Sequence, residues 1–177
     1  MNNSTPAIVA ETVNVNELDH SRGGKFLTFF LKDEEYGIEI LKVQEIVGIL
    51  PVTRVPRTPH FIRGVVNLRG KIIPVTDLRL RFNMEEGVAN EENCIIVVRT
   101  AGIEIGLIVD KVSEVLAIAE SEVEGVPSFG TEVKTEYLLG IGKTASSVIL
   151  LLNIDRVITM QDVMSLRSSL QEVEALA

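Results

Sequence analysis

The chain has no tryptophan, one cysteine and two histidines; six phenylalanines and two tyrosines are its only other rings in 177 residues. Each scarcity removes a class of function. A lone thiol, Cys94, cannot form a disulfide within the chain, which suits a reducing compartment. His20 and His60 stand far apart with no cysteine or histidine cluster beside either, so no metal set is assembled. With so few rings, the cores are expected to be aliphatic. No apolar run approaches the ~20 residues that span a bilayer. The segment from Met1 to Ser21 lacks the basic start and apolar centre of a secretion signal. These absences predict a soluble, cytoplasmic protein without a cofactor and without direct insertion into a membrane.

What is abundant is β-branched and aliphatic. There are 23 valines, 18 isoleucines and 18 leucines against 9 alanines. Side chains stiff at χ1 fit a pleated surface, so the balance favours strands. The length allows one ordinary domain or two very small ones. A domain of about 60 residues buries only roughly 60% of its unfolded surface, so two such units should share an interface. The net charge of −8 is unevenly spread. From Arg54 to Arg81 there are seven Lys/Arg and one acid; from Phe82 to Glu136 there are twelve acids and three bases. Segregated charge steers and orients partners. The overall negative balance argues against general nucleic-acid binding.

Two stretches read as copies. Phe61 to Leu78 aligns without a gap on Tyr137 to Ile154, 76 positions on, and Lys42-Val-Gln-Glu-Ile46 matches Lys111-Val-Ser-Glu-Val115, 69 positions on. Apolar and glycine positions agree while identities are few. A duplicated β-rich unit with no duplicated chemistry points to a paired scaffold and away from an enzyme. The predicted organisation is a disordered tail (1–22), a first barrel unit (23–81), an acidic linker (82–93), a second unit (94–159) and a C-terminal helix or tail (160–177). Five short strands per unit, joined by short turns, predict a mainly all-β chain of two small closed barrels, which leaves no open sheet edges. Which strand belongs to which barrel stays open, because terminal strands can cross over. Leu41 to Leu50 fits either a strand or a helical turn followed by strand. Asp77 can cap a short helical turn, and Asp162 a last helix bearing Val163, Leu166, Leu170 and Val173 at helical spacing.

The catalytic motifs fail on inspection. Gly140-Ile-Gly142-Lys143-Thr144 lacks the first glycine of a phosphate-binding loop, where Tyr137 stands, and a strand follows in place of a helix. Cys94 opens an all-apolar run and reads as an inert, buried thiol. Glu104 and Asp110 lie six residues apart on one strand, farther than the roughly 5–10 Å of a paired-acid site. Two polar residues stand out instead. Arg69 occupies the tip of a predicted hairpin, where Gly70 supplies the positive φ of the turn. Its planar fork suits carboxylates or helix-end carbonyls. Glu45 is embedded in apolar sequence beside what would be a docking patch. The competing function is a small-barrel nucleic-acid binder using the basic 54–81 patch. It would need exposed aromatics for stacking, and only Phe61 and Phe82 are available.

Three segments carry a family likeness: Glu35 to Ile46, Phe61 to Arg79 with Asn67-Leu-Arg-Gly70 at its centre, and Gly106 to Leu116. They resemble the CheW family of bacterial chemotaxis coupling proteins, over about Lys25 to Ile158. The resemblance implies two intertwined SH3-like five-stranded β-barrels and an adaptor without catalysis. It implies two partners: the cytoplasmic helices of methyl-accepting chemoreceptors and the regulatory domain of a histidine kinase. It also implies ring or array assembly at the inner face of the membrane through the receptors. By the same resemblance, Val43, Glu45 and Ile46 contribute to docking. Arg69, with Asn67 and Leu68, serves receptor and kinase coupling, and Arg63 belongs to the same set. Gly106 and Val115 line the second barrel near the groove between the units.

Overall fold

The structure, a computed structural model, describes residues 23–126 and 134–176. The chain runs through eleven strands: β1 (Gly24–Leu31), β2 (Glu34–Glu39), β3 (Val43–Gly48), β4 (Ile62–Leu68), β5 (Lys71–Asp77), β6 (Cys94–Thr100), β7 (Ile103–Val109), β8 (Lys111–Ile118), β9 (Val123–Glu124), β10 (Leu138–Lys143) and β11 (Val148–Leu152). Helices are few: α1 (Leu78–Arg81), α2 (Ile154–Val157) and α3 (Met160–Leu176), with single 3-10 turns at Ile40–Lys42, Glu120–Glu122 and Thr135–Tyr137. The strand-heavy composition therefore delivers the all-β architecture it predicts. Leu41 to Leu50 resolves into the second alternative, a 3-10 turn leading into β3.

The strands form two sheets, ordered β8-β1-β2-β11-β10-β9 and β3-β6-β7-β5-β4. Hairpin β1–β2 holds in one the place that β6–β7 holds in the other. Strands β8, β10 and β11 likewise match β3, β4 and β5. Each sheet contains one parallel pairing, β11 with β2 and β5 with β7. In sequence, each repeat is a hairpin followed by three strands, with the two-residue β9 as an extra piece in the second. In space the hairpins are exchanged: β1–β2 joins the strands of the second repeat, and β6–β7 completes the sheet of the first. The result is a contiguous barrel spanning 43–109 and a split barrel made from 24–39 and 111–152. The segments 23–81 and 94–159 thus divide the sequence but not the sheets.

Both barrels close in the same way. After β3 the chain continues to Thr53, which exchanges two backbone hydrogen bonds with Val65 of β4, at 2.9 and 2.8 Å. In the split barrel β8 turns through Glu120–Glu122 into β9, which pairs with β10 at Ile141. A glycine admits the closing segment each time. Gly64 has φ +140°, and any Cβ there would overlap the Thr53 carbonyl. Its counterpart 76 positions on, Gly140, leaves room for the backbone of Glu124.

The largest core lies between the barrels. Leu27 and Ile38 face each other across β1–β2, as do Phe29 and Tyr36. On β6–β7 the pairs are Ile96 with Leu107 and Val98 with Ile105. These faces meet in one cluster of 21 buried residues, against six inside the contiguous barrel and four inside the split one. Separating the barrels would expose more apolar surface than opening either, so the pair is one body. This core is not purely aliphatic: Phe29, Tyr36, Phe82 and Tyr137 stack in series with centroids 5.6 to 6.0 Å apart. Half of the chain's eight phenylalanine and tyrosine rings are spent here, where large flat groups bridge two curved sheets. The acidic segment 82–93 is not a free spacer, because Phe82 and Met84 are buried in that core. Asp77 caps α1 through Leu80 N–H, at 3.2 Å. At α3 the cap is Thr159, with Asp162 completing a reciprocal capping box through bonds of 2.9 and 3.2 Å.

Candidate docking surface

Among the described residues β3 is an edge strand, hydrogen-bonded only to β6. Its register puts Ile46 opposite Ile96 and Val43 opposite Val98, both members of the shared core. Val43 packs against that core, whereas Ile46 remains 43% exposed at its rim. The same edge continues through Ile49 and Val52, 49% and 37% exposed, towards the closing bridge at Thr53. The family likeness of this segment ends at Ile46, and Pro51 interrupts the alternation before Val52, so neither Ile49 nor Val52 stands out in the sequence. A row of exposed aliphatic side chains on a sheet edge is the kind of surface that protein partners cover.

At one end of this row lies a charged clasp. β4 and β5 are joined by two residues, Arg69 and Gly70, with φ of 51° and 87°. Two positive values define the tight hairpin turn that favours Asn-Gly. The Asn67 side chain accepts Gly70 N–H at 2.8 Å, so Asn67 builds the turn. Arginine in the left-handed region costs about 1 kcal/mol relative to glycine or asparagine. Its side chain is 69% exposed and forms an ion pair with Glu45 of β3. A surface pair of this exposure adds at most about 1 kcal/mol. The residue is therefore retained against its backbone preference for little gain in stability.

The other residues singled out in the sequence fall elsewhere. Leu68 is buried inside the contiguous barrel with Val66 and Ile73, so it supports the turn from beneath and offers no surface. Arg63 is tied to Asp77 at 3.1 Å and also to Glu86, which fastens the acidic segment down. Gly106 and Val115 do not line one barrel. Gly106 belongs to β7 of the contiguous barrel, where a Cβ would come within 2.7 Å of Ile95 and 2.8 Å of Val75. Val115 is 50% exposed on β8, the edge of the split barrel, opposite Leu27 of the shared core. It is the repeat equivalent of Ile46, 69 positions on, and both flank the shared core on edge strands.

The segregated charge of the sequence is largely closed on itself. Among the cations from Arg54 to Arg81, Arg63, Arg69, Lys71, Arg79 and Arg81 are all in ion pairs. Glu86, Glu104 and Asp110, from the acid-rich stretch between Phe82 and Glu136, answer three of them. Glu104 and Asp110 thus face separate cations and form no acid pair. Phe61 and Phe82 are buried, and Phe61 is covered by the Arg81 guanidinium 4.4 Å from its ring centre. The 54–81 patch therefore presents no phenylalanine or tyrosine ring for bases to stack on, which disfavours the nucleic-acid reading. Arg81 went unnoticed in the sequence, yet it donates to the Val157 carbonyl at 2.7 Å and joins α1, α2 and α3. Cys94 is half-buried, and burial pushes its thiol above the ordinary value despite a backbone hydrogen bond from Val112. No helix among the described residues is long and apolar enough to cross a membrane.

Residues 25–162 match the model of the CheW-like domain. The chain belongs to the CheW family. It is 43% identical over 141 residues to the chemotaxis protein CheW of Klebsiella aerogenes, covering 79% of this chain and 84% of that one. It is 33% identical to the Helicobacter pylori protein of the same name, covering 76% and 81%. A crystal structure of the scaffolding protein TtCheW from Thermoanaerobacter tengcongensis superposes with a TM-score of 0.73 at 38% identity, over 79% of this chain and 95% of that one. Membership makes this CheW-family chain a chemotaxis adaptor and not an enzyme, and fits the two packed sheets to the SH3-like barrel pair.

Proposed function

We propose that this CheW-family adaptor couples the cytoplasmic helices of chemoreceptors to the regulatory domain of a chemotaxis histidine kinase. In this reading it works in the cytoplasm, at the inner face of the membrane, and extends with its partners into rings or arrays. The docking surface is the β3 edge, Ile46 with Ile49 and Val52, ended by the Glu45–Arg69 pair; Val115 flanks the equivalent edge of the split barrel. The observation that carries the reading is Arg69 itself, an exposed arginine held in a conformation suited to asparagine or glycine. An aliphatic row supplies apolar contact for an amphipathic helix, and the guanidinium fork supplies orientation. Signal passes because both partners favour one arrangement of a shared interface.

The test is titration of the intact chain with a receptor cytoplasmic fragment and with the kinase regulatory domain. Arg69→Glu places two acids together and should weaken at least one of the two complexes by about tenfold or more. Arg69→Asn should weaken it less while the fold is unchanged or slightly more stable. Ala145→Glu, on the corresponding turn of the split barrel, is the control and should bind like the parent. Normal binding by both Arg69 variants refutes the assignment.

A further inference from the structure

The chain passes between barrels at two places, and the two are fastened very differently. From β7 to β8 it crosses at Asp110. There the Asp110 carboxylate accepts Arg79 Nε–H at 2.8 Å, a second Arg79 N–H, and the Lys32 backbone N–H at 2.8 Å. Its carbonyl accepts Asn93 Nδ2–H at 3.0 Å. The Arg79 and Asp110 side chains are 18% and 21% exposed. From β2 to β3 the chain crosses through the 3-10 turn Ile40–Lys42. Lys42 Nζ reaches Asp155 of α2 at 3.1 Å, and Thr100 Oγ1–H donates to the same carboxylate at 2.6 Å. These side chains are 35% and 54% exposed for Lys42 and Asp155, and the cluster borders an open cleft beside Met160. Asp155 stands 76 positions after Arg79, so the two clasps share one equivalent position with its charge inverted, whereas Lys42 is the counterpart of Lys111, the neighbour of Asp110.

The light clasp is adjacent to the docking edge. Lys42 immediately precedes Val43, Glu45 and Ile46 of β3. Asp155 belongs to the split barrel's end and Thr100 to the contiguous barrel, so the cluster ties three elements at the point where β3 starts. Resting on the coupling role above, we propose that Lys42, Thr100 and Asp155 are positioning residues that fix the start of β3, and with it the presentation of Glu45 and Ile46 to the partner. Arg79–Asp110 fixes the start of β8 instead and does not touch the β3 edge that carries Glu45 and Ile46.

The experiment compares Asp155→Ala and the charge exchange Lys42→Asp/Asp155→Lys with the parent, all as the intact chain. Amide hydrogen exchange over 40–48 should rise about tenfold in Asp155→Ala, with the amides of β5 unchanged. Binding of the receptor fragment or the kinase regulatory domain should weaken about three- to tenfold, with the melting temperature nearly constant. The charge exchange should recover most of both effects. Unchanged exchange over 40–48 overturns the inference, and so does faster exchange with undiminished binding. If Arg69→Glu also binds normally, the coupling surface itself is misplaced, while the exchange measurement still decides whether the clasp holds β3.

Discussion

The two barrels share a frame and differ at their tips. Strand order, the parallel pairing and the closing glycine recur in both. At the tip of the contiguous barrel, Arg69 leaves its own turn to pair with Glu45. At the tip of the split barrel, the Thr144 hydroxyl bonds to the Ser147 hydroxyl, donates to the Ser147 carbonyl and accepts the Ser147 N–H, so the turn is self-contained. The bulges differ too. Opposite Glu114, Thr28 donates to the strand carbonyl and accepts its N–H, filling the irregularity. At the equivalent bulge by Glu45, the facing residue is Val97, which has no such group, and Glu45 turns to Arg69 instead. Duplication fixed the scaffold; the polar residues at turns and bulges decide which copy has chemistry to offer a partner.

The strongest way to break this symmetry is at the closures. Gly64→Ala adds a Cβ against the Thr53 carbonyl in a backbone region that favours glycine. It should cost about 3 kcal/mol or more in urea unfolding. Gly140→Ala has no positive φ to contend with, and should cost about half as much. Equal losses would mean that the two closures are energetically alike. A smaller effect is expected at β5. Thr76 is fully buried, and its hydroxyl finds no hydrogen-bond partner among the described residues. The equivalent residue of the split barrel is Leu152, also fully buried. Thr76→Val should therefore raise stability by about 1 kcal/mol in the same assay. A loss would show that the hydroxyl is bonded.

The smallest effect is a pH dependence of the light clasp. Partial burial raises the Asp155 carboxyl, but hydrogen bonds from Thr100 and Lys42 and the Lys42 charge outweigh it, leaving the group below its ordinary value. A depressed carboxylate stabilises the fold in full above its ordinary value, about 3.9, and the contribution disappears as pH falls through the lower native value. Acidification below pH about 4 should thus loosen the start of β3. In Asp155→Asn the acid-dependent part of exchange over 40–46 should be absent. If parent and variant respond alike, another group governs that end.

Much of this is legible in the sequence alone. The repeat offsets of 69 and 76 match equivalent strands in the two barrels, and Arg69-Gly70 announced its turn through glycine chemistry. The exchange of hairpins was not legible, because a repeat reads the same whether its hairpin packs at home or across. Ion pairing was equally hidden: a run of cations looks like a free patch until the fold brings Glu86, Glu104 and Asp110 to it. The burial of Leu68, which the family likeness puts among the coupling residues, has a clue in the sequence. Leu68 lies two residues beyond Val66, on the same inward face of β4.

The hairpin exchange also orders events in time. Every strand of the contiguous barrel falls within 43–109, so it can assemble from neighbours in sequence. β1–β2 has no neighbour until β8 and β11 arrive, and joining Ile38 to Leu152 closes a loop of more than a hundred residues. Long loops are closed late. The middle of the chain therefore sets first, and the two ends come together last, around a centre already made.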